Sequence, residues 1–172
     1  GHRVSYCLMT RGDKGASDPG VDSIQLSIRR EKEQRAAAEK LGVESVRFLD
    51  FMDGCLVPGL DARRAITRVI REVRPDILVT CDPQNLFPTE NSINHPDHRA
   101  AGQIVVDAVF PGAGNPMFFP ELLEEGLYPH AVKEVWLALT AQPNTVIDVT
   151  PYWPIKPQAL HEHASQISDH AK

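Results

Sequence analysis

The chain has 172 residues, 42% of them apolar, enough for one domain with a substantial core, since chains of this size bury roughly 70% of their unfolded surface. Its 18 basic and 23 acidic residues leave a formal charge of −5, which excludes the basic excess needed to wrap nucleic acid or an anionic membrane. No apolar run approaches the roughly 20 residues of a transmembrane span and no leader-like segment opens the chain, so it reads as soluble and cytoplasmic.

The sequence begins Gly1-His2-Arg3 and passes at once into the apolar run Val4–Met9, suited to a strand buried on both faces. With no element before that strand, the chain reads as one that starts inside a domain. Arg11–Gly20 is rich in Gly, Asp and Pro and reads as a loop. Strong helix formers predict a helix over 23–41, stopped by Gly42. A short strand over 45–49 leads into Asp50-Phe51-Met52-Asp53-Gly54. A second helix over 60–73 places Ile66, Val69, Ile70 and Val73 on one stripe, as for a helix lying on a sheet, and Pro75 ends it. Ile77–Cys81 reads as a buried strand. A polar loop to Asn94 follows, and then a third helix with Ala101, Ile104, Val105 and Ala108 on one face. The Pro111–Pro116 segment is the one break in composition and reads as a mobile loop. Two more strands are predicted over 132–139 and 145–149, and a last helix over 155–167. Cys7, Cys55 and Cys81 are odd in number, far apart and outside any Cys-x-x-Cys pattern; they read as reduced, mostly buried thiols, not a disulfide framework or a thiolate zinc site.

Alternation of strand and helix is the order of an α/β domain with a mostly parallel sheet, because parallel neighbours need helical crossovers. Ligands in such sheets sit beyond the carboxyl ends of the strands. The loops after Thr10, Leu49 and Cys81 are therefore expected to converge, carrying Asp13, Asp53 and the stretch ending His95-Pro96-Asp97-His98.

That stretch places two imidazoles and a carboxylate within four positions where a loop enters a helix. A catalytic zinc is usually held by three protein ligands and a water, so His98 would ligate while His95 stands beside the metal as acid or oxyanion donor. Asp97 would orient a histidine. The alternative is a helix N-terminus with two partly exposed histidines and no metal. On the first helix Leu26, Arg30, Glu33, Ala37 and Leu41 share a face, so a charged pair lies on the stripe expected to meet the sheet. Either Arg30 and Glu33 pair with each other at i, i+3, or they are used. His2, His130, His161, His163 and His170 have no comparable arrangement and read as solvated.

Thr10-Arg11-Gly12-Asp13-Lys14-Gly15, Arg30-x-x-Glu33 leading to Leu41-Gly42-Val43, Phe48-Leu49-Asp50-Phe51-x-Asp53-Gly54, Arg74-Pro75-Asp76-Ile77, Asn94-His95-Pro96-Asp97-His98-Arg99-Ala100-Ala101-Gly102 and Lys156-x-x-Ala159-Leu160-x-x-His163-x-Ser165-Gln166 follow one another along nearly the whole chain. In order and spacing this series resembles the zinc-dependent N-acetylglucosaminyl de-N-acetylases. That family includes the glycosylphosphatidylinositol-pathway deacetylase and the deacetylases of mycothiol and bacillithiol synthesis.

The resemblance implies a Rossmann-like three-layer α/β sandwich and hydrolysis of the acetamide of an N-acetylglucosamine-containing small molecule. By the same resemblance His98 binds Zn2+ and His95 assists the tetrahedral intermediate or the leaving amine, with Asp97 beside them. Arg30 and Asp53 would hold sugar hydroxyls. The family's His-Pro-Asp-Asp block, which supplies a zinc-binding His and Asp and the general base, has no copy in this chain. Ile93 also stands where the family often has an aromatic residue. Two readings follow: residues 1–172 are a single deacetylase-like domain whose first strand and helix, with further His and Asp ligands, lie upstream of Gly1, or the chain is a non-catalytic sugar- or nucleotide-binding module of the same fold. A nucleotide site is weakly supported, because Arg11–Gly15 lacks the Gly-x-Gly-x-x-Gly spacing that a pyrophosphate needs. The open apolar edge expected beside Val4–Met9 invites pairing with a second copy, a homo-oligomer.

Overall fold

A computed structural model describes residues 1–167. The chain forms two compact units, Gly1–Gly54 together with the residues from Asn144 onward, and Cys55–Pro143. No helix among the described residues is long and apolar enough to cross a membrane.

In the first unit β1 (Ser5–Thr10) and β2 (Ser45–Phe51) pair in parallel, with Ser5 opposite Ser45 and Leu8 opposite Phe48 before the register shifts. The connection is α1 (Ser23–Lys40). Asp22 starts this helix by accepting the Ile24 and Gln25 N–H groups at 2.8 and 3.3 Å, two of the donors a helix start leaves without an internal partner. Its buried side chains are Leu26, Glu33, Ala37 and Ala38, whereas Leu41, expected on the same face, is exposed. The predicted last helix is shorter than the pattern suggested: α5, as labelled in chain order, is Ile155–His161, and it packs on α1. The strand expected over 145–149 does not form. Those residues are exposed coil, Val146 being 95% exposed, and an apolar alternation with no partner edge builds no ladder. His170 lies outside the described residues.

In the second unit α2 (Leu60–Val73) leads to β3 (Ile77–Cys81), and β3 pairs in parallel with β4 (Glu134–Ala138), Ile77 opposite Glu134 and Cys81 opposite Ala138. α3 (Pro96–Asp107) packs on β3, and Gly102 makes this close approach available, because a Cβ there would collide with the Cys81 carbonyl. The buried stripe of α2 is Ala62, Ile66 and Ile70 with Thr67 and Arg71; Val73, predicted inward, is exposed. α2 packs against α3 and the Ala108–Ala113 segment.

That segment corrects the expectation of a mobile loop. Ala108–Ala113 is a packed, kinked segment in which Phe110 is extended at φ −134° and ψ 123°, with Ala108 and Ala113 fully buried, and α4 (Glu121–Glu124) follows with Leu122 also fully buried. The reason is Arg71, which donates from Nε and Nη2 to the carbonyls of Ala113, Gly112, Asn115 and Phe118 at 2.9–3.3 Å. A Pro/Gly-rich stretch has many free carbonyls, and one buried guanidinium gathers four of them. The thiols also depart from expectation: Cys55 is exposed, while Cys7 and Cys81 are half-buried.

Candidate active site

The His-Pro-Asp-His block lies in the second unit, where the loop after β3 enters α3. Asn94 is buried at 4% exposure, and the chain then turns outward so that His95 and His98 are both exposed. Pro96 opens the helix, where its missing N–H costs nothing. His95 is the residue before the helix, and its Nδ1 accepts the Asp97 N–H at 3.2 Å. An Nδ1 that accepts carries no proton, so this bond assigns the neutral ring its proton on Nε2, leaving one N–H donor free to face outward. The two imidazole centroids are 5.5 Å apart and inclined at 46°. Asp97 is buried, and its Oδ1 accepts the Leu56 N–H at 3.1 Å, which ties the Leu56 backbone to the start of α3. A shallow cleft of about 350 Å³, lined by Leu56, Pro58, Pro83, Pro96, Arg99 and other residues, adjoins this end of the helix. At the end of β3, burial pushes the Cys81 thiol above its ordinary range.

Arg30 and Asp53 lie in the first unit, where the loops after β1 and β2 meet. Asp53 accepts from Thr10 Oγ1 at 3.3 Å and from the Lys14 N–H at 3.0 Å, one bond to each carboxylate oxygen. Arg30 Nη1 donates to the Gly12 carbonyl at 2.5 Å. Gly12 has φ +67°, a left-handed conformation that favours glycine, and its Cα side lies against this guanidinium. The two residues thus hold the Thr10–Gly15 turn from both sides. The i, i+3 pair weighed for Arg30 and Glu33 does not form: Glu33 bonds Arg29 Nε at 2.9 Å and accepts Ser165 N–H and Oγ at 2.9 and 2.5 Å. Arg11 packs over Phe48 at 5.0 Å and is bonded to Glu31 and Asp50. With Asp13, Asp50, Phe51 and Met52 it borders an open cleft of about 400 Å³.

Some of these contacts carry no signal in the sequence. Asn85 and Asn94 behind the histidines, and Thr10 and the Lys14 amide on Asp53, had no assigned part. Asn94 and Thr10 stood inside recognised blocks, yet Asn and Thr in a loop look like ordinary turn residues until burial is known. Glu33 was singled out, but its partner Ser165 is 132 positions away in sequence.

Among the described residues no three His, Cys, Asp or Glu side chains converge into a group able to hold a metal ion. A catalytic zinc takes three protein ligands. The described residues offer His98 with His95 beside it and do not by themselves fit a complete zinc site.

The Asn-His-Pro-Asp-His block thus stands at the start of α3, at the end of the loop that follows the parallel strand β3. The family model described as PIG-L: GlcNAc-PI de-N-acetylase matches residues 1–109, and the chain belongs to that family. It is 37% identical to the diacetylchitobiose deacetylase of Thermococcus kodakarensis, over 96% of this chain and 60% of that protein. It is 28% identical to a probable N-acetyl-alpha-D-glucosaminyl L-malate deacetylase 2 of Bacillus anthracis, over 96% of this chain and 69% of that one. The solved N,N'-diacetylchitobiose deacetylase of Pyrococcus horikoshii matches with TM-score 0.88 and 31% identity, over 98% of this chain and 61% of that chain. The fold is thus the Rossmann-like α/β fold of these deacetylases, and the chain spans about 60% of the length of the two diacetylchitobiose deacetylases it matches.

Proposed function

We propose that the chain is part of a zinc-dependent N-deacetylase that hydrolyses the acetamide of an N-acetylglucosamine-containing small molecule. One observation carries the reading: in a chain of this family, the His95 ring is anchored through Nδ1 and presents an Nε2–H donor beside an exposed His98. Amide hydrolysis adds water to the carbonyl, builds negative charge on its oxygen, and then breaks the C–N bond to give acetate and a free amine. A preset N–H donor suits that charge on the carbonyl oxygen, and the departing nitrogen would take the proton that the general base, outside these residues, removes from the attacking water. Asp97 acts on the backbone, holding the Leu56 segment against the start of α3. His98 is the zinc donor this chain contributes. The proposal takes residues 1–172 as a single deacetylase-like domain, in keeping with a family match that runs through residues of both units, and draws the other His and Asp donors from upstream of Gly1.

Arg30 and Asp53 hold the Thr10–Gly15 turn with one guanidinium nitrogen and one bond per carboxylate oxygen. A guanidinium has five N–H donors and a carboxylate about four acceptor positions, so both keep capacity for sugar hydroxyls. The substrate is a diacetylchitobiose-like, N-acetylglucosaminyl-malate-like or N-acetylglucosaminyl-inositol-like molecule, the classes named for the relatives. A cytoplasmic location belongs to the same proposal. So does a second copy of the chain as partner, supported by the exposed apolar residues Val79, Val135, Trp136 and Leu137 on β3 and β4.

The test is acetate release from these three substrates by the full-length protein. Wild type is expected to turn over at least one, and His95→Ala to lower kcat by ~10²-fold or more. Saturable sugar binding without acetate release would establish the non-catalytic binding module instead.

A further inference from the structure

The histidine block stands on a buried pair of asparagines that the reaction above leaves unused. Asn94, 4% exposed, donates through Nδ2 to the Asn85 carbonyl and through its backbone N–H to the Leu86 carbonyl, both at 2.8 Å. Asn85, 7% exposed, donates its side-chain amide to the carbonyl of Leu139, just past β4. At the base of the same loop the Asp82 N–H donates to the Ala138 carbonyl at 2.9 Å. The 82–94 loop is therefore tied at its root to the end of β4 and closed on itself at its last residue. One residue later the chain is exposed. His95 takes φ −54° and ψ 135°, and in this backbone turn its Nδ1 accepts the Asp97 N–H.

We propose that Asn94 is a positioning residue. Its clamp on Asn85 and Leu86 sets the angle at which the chain enters α3, and so keeps the His95 proton on Nε2, directed outward as a donor. An ordinary loop asparagine would sit in water and hydrogen-bond its own turn; burying an amide is costly unless its bonds are made, and here the Asn94 side chain donates to the Asn85 carbonyl while its backbone N–H donates to the Leu86 carbonyl. The proposal rests on the deacetylase reading only for the use made of the donor; the tautomer is a property of the chain.

The experiment is ¹⁵N–¹H correlation of histidine-labelled full-length protein at a pH near ~8, above the ordinary imidazole range, together with steady-state kinetics. Wild type is expected to show His95 as the Nε2–H form. Asn94→Asp, nearly isosteric but without the Nδ2 donor, is expected to mix the two tautomers of His95. It should also lower kcat by ~10-fold or more with KM changed by less than about twofold, the signature of a misdirected group and not of lost substrate binding. Asn85→Ala keeps the carbonyl that Asn94 uses and removes the tether to Leu139, and is expected to shift the tautomer ratio less. An Asn94→Asp protein that melts like wild type and retains a pure Nε2–H His95 overturns the proposal. Should that variant fail to fold, Asn85→Ala decides, and an unmixed tautomer there overturns it as well. Failure of the deacetylase reading looks different: wild type releases no acetate while the tautomer shift in Asn94→Asp still appears.

Discussion

Arg71 is 2% exposed and its described hydrogen bonds all go to main-chain carbonyls, so its positive charge is balanced by dipoles instead of a bonded carboxylate. Burial pulls its pKa down, with Glu121 opposing at longer range. The arrangement uses the planar fork of arginine, which an ammonium cannot reproduce. Burial has a second readable effect at the thiols. It pushes Cys7 up to about 11 against a smaller pull from Arg47, while Cys55 is exposed on the surface. A thiolate is the reactive form, so access and acidity both disfavour Cys7. In native protein treated with limiting iodoacetamide near pH 8, peptide mass mapping is expected to show Cys55 alkylated first and Cys7 last. Equal labelling of the two in folded protein would contradict the burial assigned to β1.

Among the elements, α1 carries the least expected burial. Its inner face holds Glu33, which joins the helix to the turn after α5 through Ser165 and to its own surface through Arg29. Desolvation alone would raise the Glu33 pKa, but the bonds from Ser165 and Arg29 together outweigh it and hold the carboxyl below its ordinary value of 4.5. A carboxylate whose folded pKa is depressed adds stability above its unfolded pKa and loses it as the pH falls through the folded value. Glu33→Gln is therefore expected to cost about 1–3 kcal/mol at pH 7, with the gap to wild type closing in acid below the ordinary Glu range. Denaturant midpoints of both proteins at pH 7 and in acid check this. A gap that stays constant would show that the charge of Glu33 contributes nothing beyond its shape.

For the whole molecule, the deacetylase proposal makes His98 a zinc donor. His98 has no two further His, Cys, Asp or Glu side chains gathered round it among the described residues. Replacing it leaves His95 as the one imidazole of the block, its Nδ1 already accepting the Asp97 N–H, and zinc affinity depends steeply on ligand number. Metal analysis of the full-length protein after dialysis is expected to find about one zinc per chain in wild type and close to none in His98→Ala. Equal zinc in the two proteins would remove His98 from the metal site.

The sequence alone was enough for the elements whose cause is local. Periodicity and end signals gave α2 at 60–73 and β3 at 77–81 to the residue, and Gly42 marks the stop of α1, because helix stops are made by near neighbours. The ordered blocks also gave the family. What they could not give was any bond between distant residues. Arg30 and Glu33 share a helix face in any helical arrangement, yet which partner each takes depended on Gly12 and Ser165, brought to them by tertiary folding. The Pro111–Pro116 stretch carries every mark of a loop and becomes packed structure because Arg71, some forty residues earlier, is buried against it. Asn94 looked like one more polar loop residue; its burial, and with it the likeness of the loop to a fixed support for His95, exists only once β3 and β4 are paired and Asn85 can reach Leu139. Local signals are read from composition and spacing because they act over one helical turn, whereas a buried polar group takes its meaning from whatever the fold sets against it.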